Sequence, residues 1–198
     1  IGASREDCDA VALKSQQRAT LAQQERRFQS IIPIETPERV ISKDECVRAD
    51  MTAERLARLP AAFAGLGAAG ADQVQLARFT ELRAIEHVHT MGNSPAMCDA
   101  GALVLLGDTA LGESLNIPPK ARLVSSTAAS GEPLEVVSGC VTATEALLAD
   151  QSLRARDIDL FEIHEAFAAT VIKTRQMLNI DDSCLNVNGG VIALGHPM

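Results

Sequence analysis

Asn186-Val187-Asn188-Gly189-Gly190-Val191-Ile192-Ala193-Leu194-Gly195-His196-Pro197 decides how the rest of this chain is read. It is a short apolar run framed by glycines, and it ends in a histidine between Gly195 and Pro197. Glycine lets a backbone turn tightly and approach a ligand closely. Proline fixes the direction in which the chain leaves. An imidazole in such a turn is placed for proton transfer, because its unperturbed ionisation lies near neutrality.

Working outward, 198 residues with 46% hydrophobic side chains can bury a sizeable core, as one domain or as parts of two. The formal charge of −8 excludes a basic nucleic-acid-binding face. The chain has no Trp, no Tyr and five Phe, which leaves no aromatic platform for stacking single-stranded nucleic acid. No apolar stretch is long enough to span a bilayer, and the first residues carry no signal-peptide pattern. Cys8, Cys46, Cys98, Cys140 and Cys184 are odd in number and irregularly spaced. They fit neither a disulfide framework nor a zinc site, so reduced thiols and a cytoplasmic location are expected.

Ser4 followed by Asp7 predicts a capped helix with Cys8, Val11, Ala12, Ser15, Ala19 and Ala22 on one small-residue face. Arg26 and Arg27 are expected in its last turn. Residues 31–34 read as a strand, Thr52 as the cap of a second helix carrying Leu56 and Leu59, and residues 64–72 as a flexible Gly/Ala loop. The pattern then changes. Residues 102–106, 121–126 and 158–163 read as strands, 141–149 and 165–178 as helices, and 185–194 as further extended chain. Strand–helix alternation predicts a layered α/β fold, with a boundary near residue 90. His87 and His89 would share one face of a strand, a possible metal pair with no evident third ligand.

The glycine-framed histidine loop resembles that of the thiolases, the acetyl-CoA acetyltransferase and 3-ketoacyl-CoA thiolase family. Upstream, Asp157-Ile158-Asp159-Leu160-Phe161-Glu162-Ile163-His164-Glu165-Ala166-Phe167-Ala168 is similar to that family's second signature, usually Asn-Glu-Ala-Phe, with His164 in place of Asn. Weaker similarity runs through Ser4 to Phe28, Asp44 to Phe63, and Gly92 to Ala102. The resemblance implies a thiolase-like layered fold of βαβ units, incomplete in this chain. Residues 1–90 would be part of the loop domain, and residues 91–198 the start of the C-terminal α/β domain. The activity implied is reversible cleavage or formation of 3-ketoacyl-CoA through an acyl-cysteine, in fatty-acid metabolism including β-oxidation. Acyl-CoA and CoA would be substrates, with no separate cofactor, and the enzyme would be a homo-oligomer, a dimer or a tetramer.

Residue by residue, His196 matches the base that activates the nucleophilic thiol and donates to an oxyanion. His164 matches the group that orients an oxyanion-hole water. Arg48 matches an arginine bordering the CoA nucleotide, and a guanidinium suits phosphate or adenine. Pro95 stands where many relatives have a Ser that contacts the pantetheine arm, which leaves Ser94 as the nearby hydroxyl. Phe167 joins Arg48 and Ser94 as a CoA-contact candidate, although Glu165 and Phe167 also read as structural members of the motif. Cys140 precedes a helix, a setting that favours a thiolate. Its place matches instead a Gly-Pro-x-Pro-Ala-Thr segment of the family, with Cys for the first Pro. The two catalytic cysteines are then expected upstream of Ile1 and downstream of Met198, and the chain alone is expected to be fragile and inactive. A non-catalytic acyl-CoA- or lipid-binding protein and a β-ketoacyl synthase are the competing readings.

Overall fold

The computed structural model describes residues 2–135 and 138–197. Helix α1 (Arg5–Gln24) is its spine. Ser4 caps it in both directions. The Asp7 amide donates to Ser4 Oγ at 3.1 Å, and the Ser4 amide donates to Asp7 Oδ2 at 3.0 Å. Its buried face is Cys8, Asp9, Ala12, Ser15, Gln16, Ala19 and Ala22, and at Ser15 and Ala19 the small side chains let the Gly189 backbone come close. The helix stops at Gln24, and Arg26 turns into the left-handed region at φ 56°. Arg26 and Arg27 therefore lie beyond the last turn rather than in it.

Next come two-residue strands β1 (Ile34–Glu35) and β2 (Val40–Ile41), paired antiparallel with Ile34 opposite Ile41. The strand read at 31–34 survives only at its end. Thr52 caps α2 (Ala53–Ala57) by accepting from the Arg55 amide. Residues 64–72 are not a loop. They form α3 (Ala64–Leu66) and a wide helical turn (Gly67–Ala71) leading into α4 (Asp72–Arg78), with Gly70 at φ 122° marking the kink. Alanine is the strongest helix former, and its weight here exceeds the cost of the glycines.

Helix α5 (Thr109–Leu115) follows, then α6 (Gly139–Asp150), α7 (Ala168–Leu178) and the single turn α8 (Val191–Leu194). Helix α6 was legible as 141–149. Helix α7 begins three residues later than the pattern suggested, because His164–Phe167 runs outside it. Residues 191–194 are helical where extended chain was expected.

The apolar runs 102–106 and 121–126 are irregular and exposed; Leu103 is 98% accessible. A strand exists only with a neighbour to accept its backbone hydrogen bonds. Neither run has one among the described residues. The strand read at 158–163 shrinks to a parallel bridge of Phe161 with Leu185. There the Phe161 amide donates to Cys184 O and the Asn186 amide to Phe161 O, both at 2.8 Å.

The core gathers where α1 meets α2, α7 and α8. Cys8, Ala12, Leu56, Ala168, Ala169, Ile172 and Ile192 form one cluster. Phe161, Val171, Ile180 and Leu185 form a second beneath the 161–185 bridge. Residues on either side of position 90 thus share one core. Arg5 adds a polar tie, donating to Leu56 O at 2.7 Å and Leu59 O at 2.9 Å.

Candidate active site

The two motif histidines meet. The rings of His164 and His196 stand edge to face, centroids 4.6 Å apart at 70°. His196 is carried by the exit of α8. Gly195 takes φ 95°, open to glycine at little cost, and the His196 amide donates to Ala96 O at 2.8 Å. The segment Asn93–Cys98 therefore runs beside the histidine loop, with Met97 and His196 bridged in parallel.

His164 is held by its neighbours on either side. The Ile163 amide donates to Asn186 Oδ1 at 2.7 Å, and Asn186 Nδ2 donates back to Ile163 O at 2.9 Å. Glu165 is 2% accessible, and it joins four segments. Its Oε2 accepts from Ser15 Oγ at 2.7 Å and from the Ile192 amide at 3.1 Å. Its Oε1 accepts from Asn186 Nδ2 at 3.0 Å. Burying a lone carboxylate costs several kcal/mol, and three donors offset that cost. A Cβ at Gly190 would collide with the Glu165 side chain, so the second glycine of the pair is what admits it.

The electrostatics follow from this packing. His164 is exposed, yet desolvation by its surroundings, and then the neighbouring His196, lower its pKa and favour its neutral ring. Burial pushes Glu165 up, opposed by its bonds from Ser15, Asn186 and Ile192 and by Arg18. A neutral His164 can both donate and accept, as a water-orienting group must.

The other candidates are spread around this centre. Phe167 packs edge-on against Phe63 at 5.4 Å and against the His89 ring at 5.2 Å. The Arg48 amide donates to Gln16 Oε1 at 2.7 Å, and Gln16 Nε2 donates to Ile192 O at 3.4 Å, which ties the Arg48 loop to α8. The Arg48 residue itself is exposed. Ser94 is buried at 9% accessibility, and its hydroxyl has no hydrogen-bond partner among the described residues. Next to it Asn93 is fully buried, donating to Asp9 Oδ1 at 2.7 Å and accepting from the Thr90 amide at 2.8 Å.

His87 and His89 do not form a pair. His87 Nε2 sits 3.1 Å from Asp72 Oδ2, while His89 Nε2 accepts from the Ala169 amide at 3.4 Å. Among the described residues no group of three or more His, Cys, Asp or Glu is placed to hold a metal. Cys140 lies in the first turn of α6, with its Sγ 2.8 Å from Thr174 Oγ1 and no part in the histidine pair. Cys98 does lie beside His196. However, burial, Cys46 and the Asp99 and Asp44 carboxylates push the Cys98 thiol up, the opposite of an activated nucleophile.

Sequence reasoning missed Ser15, Asn93 and Asn186. Ser15 read as one more small residue on the α1 face, and nothing local in the chain announced a partner 150 residues away. Asn186 carries a signal, since it opens the histidine loop, but its two hydrogen bonds with Ile163 are visible only in three dimensions.

The fold is that of a known class. The human mitochondrial 3-ketoacyl-CoA thiolase superposes with a TM-score of 0.77 at 30% identity, over 98% of this chain and 45% of that one. The same enzyme in complex with CoA gives 0.79 at 31%, over 98% and 44%. The architecture is accordingly thiolase-like α/β, helix-rich with a small sheet over these residues. The family model for the thiolase N-terminal domain matches residues 1–75, and that for the thiolase C-terminal domain matches 117–198. The acetyl-CoA acetyltransferase of Allochromatium vinosum is 36% identical over all of this chain and 46% of its own length. The 3-ketoacyl-CoA thiolase of Bacillus subtilis is 35% identical over all of this chain and 49% of its own. The chain belongs to the thiolase family, and it spans about half the length of the curated relatives it matches.

Proposed function

We propose that the protein containing this chain is an acyl-CoA C-acyltransferase that cleaves or forms 3-ketoacyl-CoA through an acyl-cysteine. The observation that carries the reading is the edge-to-face pair of His164 and His196, on loops locked together through Asn186 and Glu165. His196 takes the proton of a nucleophilic thiol and donates to the thioester oxyanion. His164, its neutral form favoured, orients a water that donates to that same thioester oxygen. Pre-set donors of this kind stabilise charge as it develops, by about 3 kcal/mol each. Both catalytic cysteines lie outside these 198 residues. In support, the Cys98 thiol beside His196 is pushed up, the opposite of what acylation requires.

CoA and its acyl thioesters are the substrates. Arg48 borders the nucleotide, and Ser94 and Phe167 lie towards the pantetheine arm. Residues 1–90 belong to the loop domain and 91–198 to the C-terminal domain, which is supported by separate family matches to 1–75 and 117–198. The reading extends to a cytoplasmic homo-oligomer working in fatty-acid metabolism.

The test is CoA-dependent cleavage of acetoacetyl-CoA by the protein containing this chain, followed by chromatography of the acetyl-CoA formed. His196→Ala is expected to lower kcat/KM by about 10²–10⁴-fold, as loss of a general base does. Turnover undiminished in H196A sinks the assignment of the base. Binding of CoA thioesters with no turnover in either protein replaces the enzyme with an acyl-CoA-binding protein.

A further inference from the structure

Cys46 and Cys98 belong to segments far apart in the chain, yet both sulfurs face the backbone of Gly195. A Cβ built there would lie 2.6 Å from Cys98 Sγ, 3.1 Å from Cys98 Cβ and 3.2 Å from Cys46 Sγ. The two thiols are therefore neighbours across a space kept open by the missing side chain of Gly195. Cys46 is near enough to help push the Cys98 thiol up. The remaining cysteines are differently engaged. Cys8 is fully buried on α1, Cys140 is bonded to Thr174, and the Cys184 sulfur lies 3.8 Å from Ser183 Oγ.

We propose that Cys46 and Cys98 form a thiol pair that a peroxide oxidises to a reversible disulfide against the His196 loop. Access comes from the open cleft beside Met97, Cys98, Asp99 and His196, and both cysteines are partly exposed. Freedom to close comes from the chain between β2 and α2, which carries Cys46 and has no helix or strand around it. The chemistry balances with hydrogen peroxide as oxidant. One thiolate attacks the O–O bond, becomes a sulfenic acid and releases hydroxide. The second thiolate attacks that sulfur, forms the S–S bond and expels a second hydroxide. The two hydroxides take the two thiol protons and leave as water. Two sulfurs are oxidised and two peroxide oxygens reduced.

The bond fixes the loop after β2 to the segment that accepts the His196 amide hydrogen bond at Ala96. Oxidation is thereby written into the position of the histidine loop. The modification uses neither histidine and is separate from the acyl transfer proposed above.

The experiment is peptide mass mapping of the protein containing this chain after treatment with hydrogen peroxide, alkylation and trypsin without reductant. The expected product is residues 44–48 joined to residues 84–120, two hydrogens lighter than the separate peptides and released by dithiothreitol. It disappears in both Cys46→Ser and Cys98→Ser. Recovery of Cys46 and Cys98 as separately alkylated or sulfinic peptides overturns the proposal, as does a random spread of disulfides over all five cysteines. The readout is the linked peptide, so it stands or falls whether or not the protein turns over a thioester.

Discussion

His164 stands where the signature it resembles has asparagine, and histidine brings a titratable group into the site. Its pKa is lowered by desolvation and by His196. The folded protein thus binds fewer protons there than the unfolded chain does. The neutral ring's contribution to stability is complete above the unfolded imidazole value of about 6.5 and is lost as pH falls through it towards the lower folded value. With the role proposed for His164, activity is expected to fall along the same limb, because a protonated ring loses its acceptor. His164→Asn is expected to keep kcat within about tenfold, since an amide can still orient a water, and to flatten the acid limb of the pH–rate profile. His164→Ala is expected to cost about 10²–10³-fold in kcat. An unchanged acid limb in H164N would assign that limb to another group. Both histidines could be picked out from the sequence because glycine, proline and the motif around them are local features. Glu165 read only as a structural member of its motif. Its role as the acceptor shared by Ser15, Asn186 and Ile192 depends on distances no linear pattern carries.

At the level of elements, α1 and the glycine pair fit one another. Gly189 takes φ 81°, and a Cβ there would meet Ser15 O at 2.6 Å and the Ala19 side chain at 2.7 Å. Gly189→Ala meets both backbone strain and a clash with a helix carbonyl that cannot rotate away. A loss of about 2–4 kcal/mol is expected, read in the longer protein containing this chain as a lower denaturant midpoint at unchanged m-value. A loss under 0.5 kcal/mol would show that the loop slides off α1 without penalty. Helices α1, α2, α6 and α7 were legible because caps and 3.6-residue periodicity belong to the helix itself. The runs at 102–106 and 121–126 were misread as strands for the converse reason. Apolar character was plain in Leu103 to Leu106, but a strand is half a property of its partner. The Gly/Ala stretch from 64 reads as a loop on its glycines and is helical because alanine's preference prevails there.

The whole molecule carries apolar surface that no described residue covers. Leu103, Val104, Leu105, Leu106, Leu123 and Val124 are each at least 65% exposed. At about 25 cal/mol per Å² of apolar area, such a surface drives association. Expressed as 198 residues, the chain is expected to bind a hydrophobic dye strongly, to sediment as aggregates and to melt without a sharp transition. A monomeric species with a cooperative melt and no dye binding would contradict that. The fold class was readable here only through the motifs, since the sheet that the α/β pattern announced is barely present over these residues.

The bond from Ser15 to Glu165 spans 150 positions of chain, and that from the Gly190 amide to Ser15 spans 175. A ribosome adding roughly 5–20 residues per second presents α1 long before its partners exist. For about 8–30 s at those rates the Ser15 face of the first helix has nothing to close against. The histidine pair is therefore among the last features of this segment to be assembled during synthesis. A nascent chain halted before residue 165 carries a finished α1 and no site.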